Sequence, residues 1–393
     1  NKERVNSARV RPLSYKITPD CVGDTVTFSL SRPRNLSVEV NGDIFHNLHL
    51  FANPIDKFRP SDKEIQRALK KKKGSNLIYF APGVHNLPND TLFVPSGTTV
   101  YIDGGARVYG NIFTEGAHDV NIFGRGEVHP DGRGAGVWVR RSKNVRIDGI
   151  VVSQLPIGQC DSVELTNVKS ISYYGWGDGM DVFSSSNVIL DGVFCRNSDD
   201  CAAVYASTQG FKGGSNNVLV KNATLWADVA HPINIGGHGD PNGMDTVQNV
   251  TFRNIDILDQ AEKQIDYQGC LAINPGDNTL VRNITFENIR IEDFRNGQLV
   301  NFRISFNPKY CVSTGRGIQN VLVKDVTYNG SGENLSIIAG YDENHKISGI
   351  RFVNLVVNGR KITDDMPGKP KWYKTGDMAG IFVGEHVENL SFE

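Results

Sequence analysis

Two acidic clusters lie 21 residues apart in the middle of the chain. The first holds Asp178 and Asp181, and the second holds the adjacent pair Asp199 and Asp200. Carboxylates that approach one another repel, which strongly raises the pKa of at least one of them. Hydrolysis of a glycosidic bond uses one protonated carboxyl and one carboxylate, so the clusters predict an acid–base site of this kind.

A recurring strand unit would place the two clusters on neighbouring coils of a solenoid. The unit reads Asn, Val or Ile, any residue, an apolar residue, any residue, then Gly, Asn or Asp. It begins at Asn144, Asn187, Asn217, Asn249, Asn283 and Asn320, with weaker copies at Asp119 and Gly349 and a degenerate copy at Asn167. One alternating strand per period of 20 to 37 residues indicates a solenoid, and we expect an all-β, right-handed parallel β-helix. Apolar side chains would fill its bore, and asparagines would form a ladder along a turn.

Two further pieces precede the coils. Residues 1–57 contain several short strands and predict a small N-terminal β-sandwich, which leaves 58–393 as the β-helix domain. A helix is expected over residues 61–73, because Ser61 and Glu64 form a capping box. This helix would cover the open end of the first coil.

Composition narrows the class of protein further. The net charge of −1 gives no bulk preference for nucleic acid, and no run of 18 apolar residues predicts a membrane span. The first residues lack an apolar signal-peptide core, so we expect a secreted or periplasmic protein whose signal segment is absent from this chain. The six cysteines show no metal-binding spacing, and we expect mostly free, buried thiols with room for one disulfide.

The stretch GDGMDVFSSSNVILDGVFCRNSDDCAAV, which begins at Gly177, resembles the core of the polygalacturonase family, glycoside hydrolase family 28. The segment AHPINIGG, which begins at Ala230, resembles the histidine motif of that family. The likeness covers roughly residues 75–345. It implies an inverting hydrolase of a polysaccharide.

The resemblance also implies roles for individual residues. Asp199 would be the general acid, and Asp178 and Asp200 would hold and deprotonate the water. His231 would tune or orient the acid, with His238 as a competitor for that role. The residues expected to bind substrate are Asp181, Trp176, His238, Arg303 and Lys212.

Because the sequence departs from the family pattern, it does not define which sugar the substrate contains. The Arg-Ile-Lys motif that grips a galacturonate carboxylate is replaced by the uncharged segment 270–274, and the nearest substitute, Arg303, comes one coil late. The sandwich-before-helix order resembles the dextranase family, glycoside hydrolase family 49, whose substrates are neutral α-glucans. The aromatic residues that would stack on sugar rings are Tyr173, Tyr174, Trp176 and Trp226.

Two other classes of function remain as alternatives. A polysaccharide lyase would use the clustered Asp residues to hold Ca²⁺ and Arg196 or Lys212 as its base. A non-catalytic β-helix, such as an adhesin, would not need an acidic cluster. We expect a monomer that binds a polysaccharide or oligosaccharide and needs no metal or cofactor, with no nucleic-acid partner.

Overall fold

The computed structural model describes residues 4–70, 74–331 and 333–393. Among these residues, 29 strands belong to one continuous sheet that winds into stacked coils, each with up to three strands. Its strand pairs are parallel, except where Arg360–Ile362 turns back on the strand before it. The prediction of an all-β parallel solenoid is confirmed.

The coils present three faces, named here in the order in which the chain passes through them. The strands of the first face are Leu77–Phe80, Thr99–Ile102, His118–Gly124, Lys143–Asp148, Asp161–Thr166, Ser186–Asp191, Ser215–Lys221 and Val387–Phe392. The strands of the second face are Glu127–His129, Val151–Val152, Lys169–Ile171, Phe194–Asn197 and Thr224–Ala227, with Arg360–Ile362 at its end. The strands of the third face are Val137–Arg140, Ile157–Gly158, Val182–Phe183, Ala202–Tyr205, Ile233–Ile235, Leu271–Ile273, Val300–Arg303, Ser336–Ala339 and Ile381–Val383.

Several longer strands bend across two faces. Gly83–Phe93 and Ala106–Glu115 run from the second face into the third. The strands that run from the first face into the second are Thr246–Gln260, Leu280–Ile291, Gly317–Tyr328 and Ile347–Val357. A short additional pair, Gly297–Gln298 with Glu333–Asn334, lies beside them.

The core lies inside the coils because the repeat places an apolar side chain at the same register position in every turn. Val145 pairs with Val163, which pairs with Val188, and that column continues through Val218 and Val250. All five side chains are buried. Strand alternation then turns the intervening polar residues outward.

A row of three amides and one carboxylate follows the turn between the first and second faces. We call it the Asn ladder, and its members are Asp191, Asn222, Asn254 and Asn288. Asn222 donates from Nδ2 to Asp191 Oδ1 over 2.7 Å, and Asn254 donates to Asn222 over 2.7 Å. The three asparagines have φ near +55°, a conformation that Asn tolerates better than other residues with a side chain. The predicted ladder is therefore present.

One copy of the repeat was placed wrongly by the sequence pattern. The strand of that coil is Asp161–Thr166, which pairs with both neighbouring strands of the first face. Asn167 lies after its end, and the following strand Lys169–Ile171 belongs to the second face. The true copy begins at Ser162, which stands where the neighbouring copies have Asn144 and Asn187, so it lacks the Asn of the signature.

The N-terminal sheet is antiparallel and consists of Ala8–Arg11, Arg34–Val40 and Asp43–Ala52. A hairpin of Asp20–Val22 and Thr25–Thr27 accompanies it, and a 3₁₀ turn covers Leu13–Tyr15. The sheet covers part of the second face.

That contact is aromatic and charged. The rings of His49 and Phe51 each lie 5.2 Å from the ring of Phe194 on the solenoid. Arg11 spans the two parts, because it pairs with Glu39 of the sheet and with Glu292 of the coils.

The helix before the coils is Asp62–Leu69, with Ser61 as its N-cap and the predicted capping box to Glu64 in place. It contacts the first strand of the solenoid and buries Ile65. The helix ends four residues earlier than predicted, and Lys71–Lys73 lie outside the described residues. A second helix, Thr375–Ala379, and a 3₁₀ turn, Ile265–Tyr267, lie within loops of the coils.

The cysteines and helices agree with two further expectations. All six cysteines are free thiols, and those buried are Cys160, Cys195, Cys201 and Cys270. In the described part of the chain, every helix is too short or too polar to cross a lipid bilayer.

Candidate active site

Three of the predicted carboxylates come together at the turn between the second and third faces. Asp178 precedes the strand Val182–Phe183, and Asp199 and Asp200 precede the strand Ala202–Tyr205. These two strands pair directly, so the turns that lead into them lie side by side. One carboxylate oxygen from each of the three residues lies within 4.8 Å of the other two. We call these three residues the acidic turn.

The backbone of the acidic turn is packed too tightly for most side chains. A Cβ atom on Gly179 would overlap the carbonyl oxygen of Cys201, and one on Gly177 would overlap the hydroxyl of Ser198. The amide of Asn197 donates to the carbonyl oxygen of Asp178 over 3.1 Å. The Gly-Asp-Gly sequence therefore lets two coils approach closely enough for their carboxylates to meet.

Asp200 is the ionised member of the cluster. It is 2% exposed and accepts four hydrogen bonds. Two come from His231, from the backbone N–H over 3.0 Å and from Nδ1 over 2.7 Å. The others come from the Tyr205 hydroxyl over 2.5 Å and the Asn234 amide over 2.8 Å. Burial alone would raise the pKa of Asp200, but His231 and these hydrogen bonds hold it below its usual value.

Asp178 and Asp199 are perturbed in the opposite direction. Burial, and then the charge of Asp200, raise the pKa of Asp199 to about 7. Burial, followed by repulsion from Asp199 and Asp200, raises the pKa of Asp178 well above its usual value. Because these groups interact, the proton belongs to the pair Asp178 and Asp199. Near neutral pH the acidic turn therefore carries at least one proton beside an ionised Asp200.

His231, the histidine of the motif, hydrogen-bonds to a different carboxylate from the one expected. His231 was predicted to orient Asp199, but its hydrogen bonds go to Asp200. The strand register explains this, because Ala202 pairs with Ile233 and so sets His231 beside Asp200. His238 packs its ring against Tyr205 at 5.0 Å, so it contacts a residue that holds Asp200.

Asp181 does not lie on an open surface, as a substrate contact requires. It is 4% exposed, and burial followed by the charge of Asp178 raises its pKa well above the usual value. It points outward from the third face beneath the acidic turn, in register with Ala203 and Asn234. It therefore lies in the floor of the cluster and not on a surface open to substrate.

The predicted aromatic surfaces fall into two groups. Trp176 is 75% exposed on the loop that leads to Asp178, where a sugar ring can reach it. Trp226 is 0% exposed, so it is unavailable for stacking on a sugar. Its ring lies between two guanidinium groups, with Arg196 at 4.1 Å and Arg11 at 4.9 Å from the ring centroid.

The two cations proposed as lyase bases are both engaged elsewhere. Arg196 is buried against the N-terminal sheet and pairs with Asp228 over 2.8 Å. It also donates to Asn47 of that sheet over 2.8 Å. Lys212 is mostly exposed and pairs with Asp240 over 3.3 Å. Arg196 is thus part of the contact between the sheet and the solenoid.

Arg303 lies on the third face, one coil beyond Asn274 in the same register column. Its Nη2 donates to the carbonyl oxygen of Asp266 over 2.8 Å, and its Nε is buried without a partner. A second cation, Lys309, was not singled out from the sequence. Its Nζ lies 4.7 Å from the ring centroid of Tyr310.

An aromatic wall connects this second cation to the acidic turn. Tyr267 packs against His231 at 4.3 Å and against Tyr310 at 5.0 Å. The contact with Tyr310 and then the charges of Glu262 and Asp199 raise the pKa of Lys309. Sequence reasoning missed Tyr205, Asn234, Tyr267, Lys309 and Tyr310. Of these, only Asn234 falls within a motif quoted above, and its alternating strand position was the available signal.

Comparison with known proteins identifies the family. The model of glycosyl hydrolases family 28 matches residues 136–366, more than half of the chain, and the chain belongs to this family. A polygalacturonase from Juniperus ashei is 26% identical over 216 residues, which cover 53% of this chain and 39% of that protein. An exopolygalacturonase from Cochliobolus carbonum is 24% identical over 246 residues, or 54% of this chain and 52% of that protein. The chain thus spans about half the length of these curated relatives, or less.

Solved structures support the same fold. The family 28 exopolygalacturonase from Yersinia enterocolitica has a TM-score of 0.58 at 13% identity, covering 94% of this chain and 85% of that one. Dex49A from Penicillium minioluteum has a TM-score of 0.61 at 15% identity, covering 99% of this chain and 79% of that one. At these identities, the likeness shows the fold alone.

Proposed function

We propose that this protein hydrolyses O-glycosidic bonds in a galacturonate-containing polysaccharide and inverts the anomeric configuration. The observation that carries the proposal is the acidic turn. It combines an ionised Asp200 with two carboxyls whose pKa values are raised, all within 4.8 Å. Glycoside hydrolysis needs one protonated carboxyl and one carboxylate close together, and opposite pKa shifts provide the two protonation states. Membership of family 28 agrees with it.

In the proposed reaction, Asp199 gives its proton to the glycosidic oxygen as the bond from that oxygen to the anomeric carbon breaks. A water molecule between Asp178 and Asp200 donates a hydrogen bond to each carboxylate and attacks the anomeric carbon from the opposite side. The proton released by this water passes to the Asp178–Asp200 pair. His231, Tyr205 and Asn234 act as positioning residues, because their hydrogen bonds fix and ionise Asp200.

The separation of the carboxylates makes the stereochemical outcome worth measuring. Inverting enzymes usually separate their two carboxyl groups by ~6.5–9.5 Å and retaining enzymes by ~5–5.5 Å. The closest oxygens here lie within 4.8 Å. Burial and four hydrogen bonds prevent Asp200 from reaching a sugar carbon. These features support attack by water, and proton NMR of the first anomer released tests inversion directly.

Two cations support an acidic sugar as the substrate. The outward positions of the third face beyond the acidic turn are Asn234, Ala272 and Asn274, none of them charged. Arg303 stands one coil further in the same column as Asn274, and Lys309 is influenced by the charge of Asp199. We expect these two residues to bind the uronate carboxylate that an Arg-Ile-Lys motif would otherwise bind.

The test is release of reducing ends from polygalacturonate, rhamnogalacturonan, dextran and pullulan, with and without EDTA. We expect activity on a galacturonate polymer that EDTA does not change and that Asp199→Asn removes. Asp191→Asn, a matched change in the Asn ladder, should leave it intact. Activity only on dextran or pullulan would transfer the chain to neutral glucans. Loss of activity with EDTA, together with an unsaturated product, would indicate a Ca²⁺-dependent lyase.

The same proposal extends to the organisation of the protein. We propose a right-handed coil, an N-terminal β-sandwich over residues 1–57 and a β-helix domain over 58–393. We also propose a secreted or periplasmic monomer without a resident metal or cofactor. The extensive contact between the N-terminal sheet and the second face supports treating both parts as one folded unit. Light scattering measures the oligomeric state, and limited proteolysis tests the boundary near residue 57.

A further inference from the structure

A cleft of about 630 Å³ opens on the second face, where the cover provided by the N-terminal sheet ends. We call it the aromatic cleft. The rings that line it are Tyr109, His129, Tyr173 and Tyr174 from the coils, with His49 and Phe51 from the N-terminal sheet. The cleft is lined by residues of the second face and of the N-terminal sheet, whereas the acidic turn leads into the third face, and the proposed reaction does not use the cleft.

The lining combines ring faces with polar groups. Arg107 pairs with Glu127 over 3.0 Å at the edge of the cleft, and its guanidinium lies 5.8 Å from the ring of Tyr109. Tyr173 is 85% exposed, although a ring of this size is usually covered when it serves only packing. Amphipathic tyrosines beside a few fixed charges suit a ligand that is apolar on its ring faces and rich in hydroxyls at its edges. A sugar chain has this chemistry.

The cleft is joined to the acidic turn by one short loop, 173–177. The Ser198 hydroxyl donates to the Tyr174 carbonyl oxygen over 2.5 Å, and Ser198 directly precedes Asp199. The Tyr174 hydroxyl donates to the carbonyl oxygen of Gly134 over 2.6 Å, and residues 130–132, just before Gly134, line the cleft. The loop therefore forms a wall of the cleft at one end and reaches Asp178 at the other. Tyr174, which lines the cleft, is thus one hydrogen bond away from the residue that precedes Asp199.

We propose that the aromatic cleft is a second, non-catalytic binding site for a segment of the polysaccharide substrate. This inference rests on the proposed function, because it takes its ligand from it. The site holds the polymer beside the acidic turn and raises its local concentration there. Short oligosaccharides that occupy only the acidic turn do not use it.

Affinity electrophoresis of the Asp199→Asn protein measures binding without hydrolysis. The gels contain polygalacturonate, rhamnogalacturonan or dextran. We expect retardation by at least one polymer, and a decrease of about 10-fold in apparent affinity when Tyr109→Ala and Tyr173→Ala are added. Trp372→Ala, which removes an equally exposed ring far along the chain, is the matched control and should bind as the Asp199→Asn protein does. Tyr173→Ala alone is the second variant, since an exposed ring contributes little to folding.

Hydrolysis by the otherwise unmodified enzyme then separates the two proposals. The Tyr109→Ala, Tyr173→Ala protein should show a raised KM for the polymer with unchanged kcat and unchanged cleavage of a trimer. If retardation depends on the two tyrosines but the enzyme cleaves none of the substrates, the proposed function is overturned and this inference stands. Equal retardation with and without the tyrosines, or none by any of the three polymers, would overturn the inference whether or not the enzyme is active.

Discussion

At two turns of the coils, side chains of the same type stack on one another, but the effects on the stability of the solenoid are opposite. In the Asn ladder, each amide donates to the oxygen of the coil before it, as Asn254 does to Asn222 over 2.7 Å. In the acidic turn, the stacked groups are Asp178, Asp199 and Asp200, and an ionised carboxylate has no proton to donate to its neighbours. The ladder therefore stabilises the solenoid, whereas the acidic turn is destabilised by repulsion and burial.

The burial and repulsion that destabilise the acidic turn also give it the proton that catalysis needs. Burial, and then repulsion between the carboxylates, keep a proton on the Asp178–Asp199 pair at a pH where isolated carboxyls are ionised. Asp200 stays ionised because it accepts four hydrogen bonds.

The largest expected effect comes from Asp199→Asn, which makes the acidic turn more like the ladder. Loss of the general acid should lower kcat by about 10²–10⁴-fold. Reducing-end release measures this loss, and Asp191→Asn should remain within roughly 2-fold of the parent because surface charges contribute little. Activity of Asp199→Asn equal to that of the parent would remove Asp199 from the mechanism.

The same variant should unfold at higher temperature than the parent at pH 8. The folded-state pKa of Asp199 is about 7, above its ordinary value of 3.8. The contribution of Asp199 to stability is therefore fully present only below pH 3.8. Stability is lost as the pH rises through about 7, because the folded protein must then ionise a buried group. Removing the charge should restore about 1–3 kcal/mol at pH 8. Scanning calorimetry at pH 4 and pH 8 checks that the gain appears only at the higher pH.

The next effect concerns the donors that distinguish Asp200 from its neighbours. His231→Ala should lower kcat by about 10–100-fold, because a hydrogen bond to a charged group is lost. His231→Asn carries an amide N–H near the position of Nδ1 and should recover much of that loss. For His238→Ala we expect a change mainly in KM. Equal losses of kcat in both histidine variants would contradict the assignment of His231 as the partner of Asp200.

The pH profile responds to the same donors more modestly. Activity should fall as the pH rises through about 7, when the shared proton leaves. Tyr205→Phe removes the 2.5 Å hydrogen bond to Asp200, so the pKa of Asp200 rises. The acidic limb of the kcat profile should then move upward by about one unit while the alkaline limb stays in place. A profile that shifts as a whole would indicate a general disturbance of the site.

The smallest effect is expected from Asn254→Asp, which makes the ladder more like the acidic turn. The new carboxylate cannot donate to Asn222, so about 0.5–1.5 kcal/mol of stability should be lost at pH 7. The loss should shrink at pH 3, where a protonated carboxyl donates again. Denaturant unfolding at both values tests this, and activity per folded molecule should not change.

Particular residues show how far the sequence could be read. The repeat beginning at Asn144, Asn187 and Asn217 predicted the coils, because a strand period of two and an Asn at a turn are local properties. The same pattern failed at Asn167, where the true strand Asp161–Thr166 lacks the signature. The capping box at Ser61 was found for the same local reason, although the helix end was not.

The sequence by itself determined the solenoid and the acid-rich turn, because spacing, alternation and residue type suffice to stack Asp178 near Asp199. Only the tertiary structure decided which carboxylate stays ionised, since Tyr205, Asn234 and His231 reach Asp200 from the same strand and the next coil. It also decided that Trp226 lies between two arginines and cannot face a sugar. Burial and hydrogen bonding depend on contacts between residues far apart in the chain, and no local pattern records them.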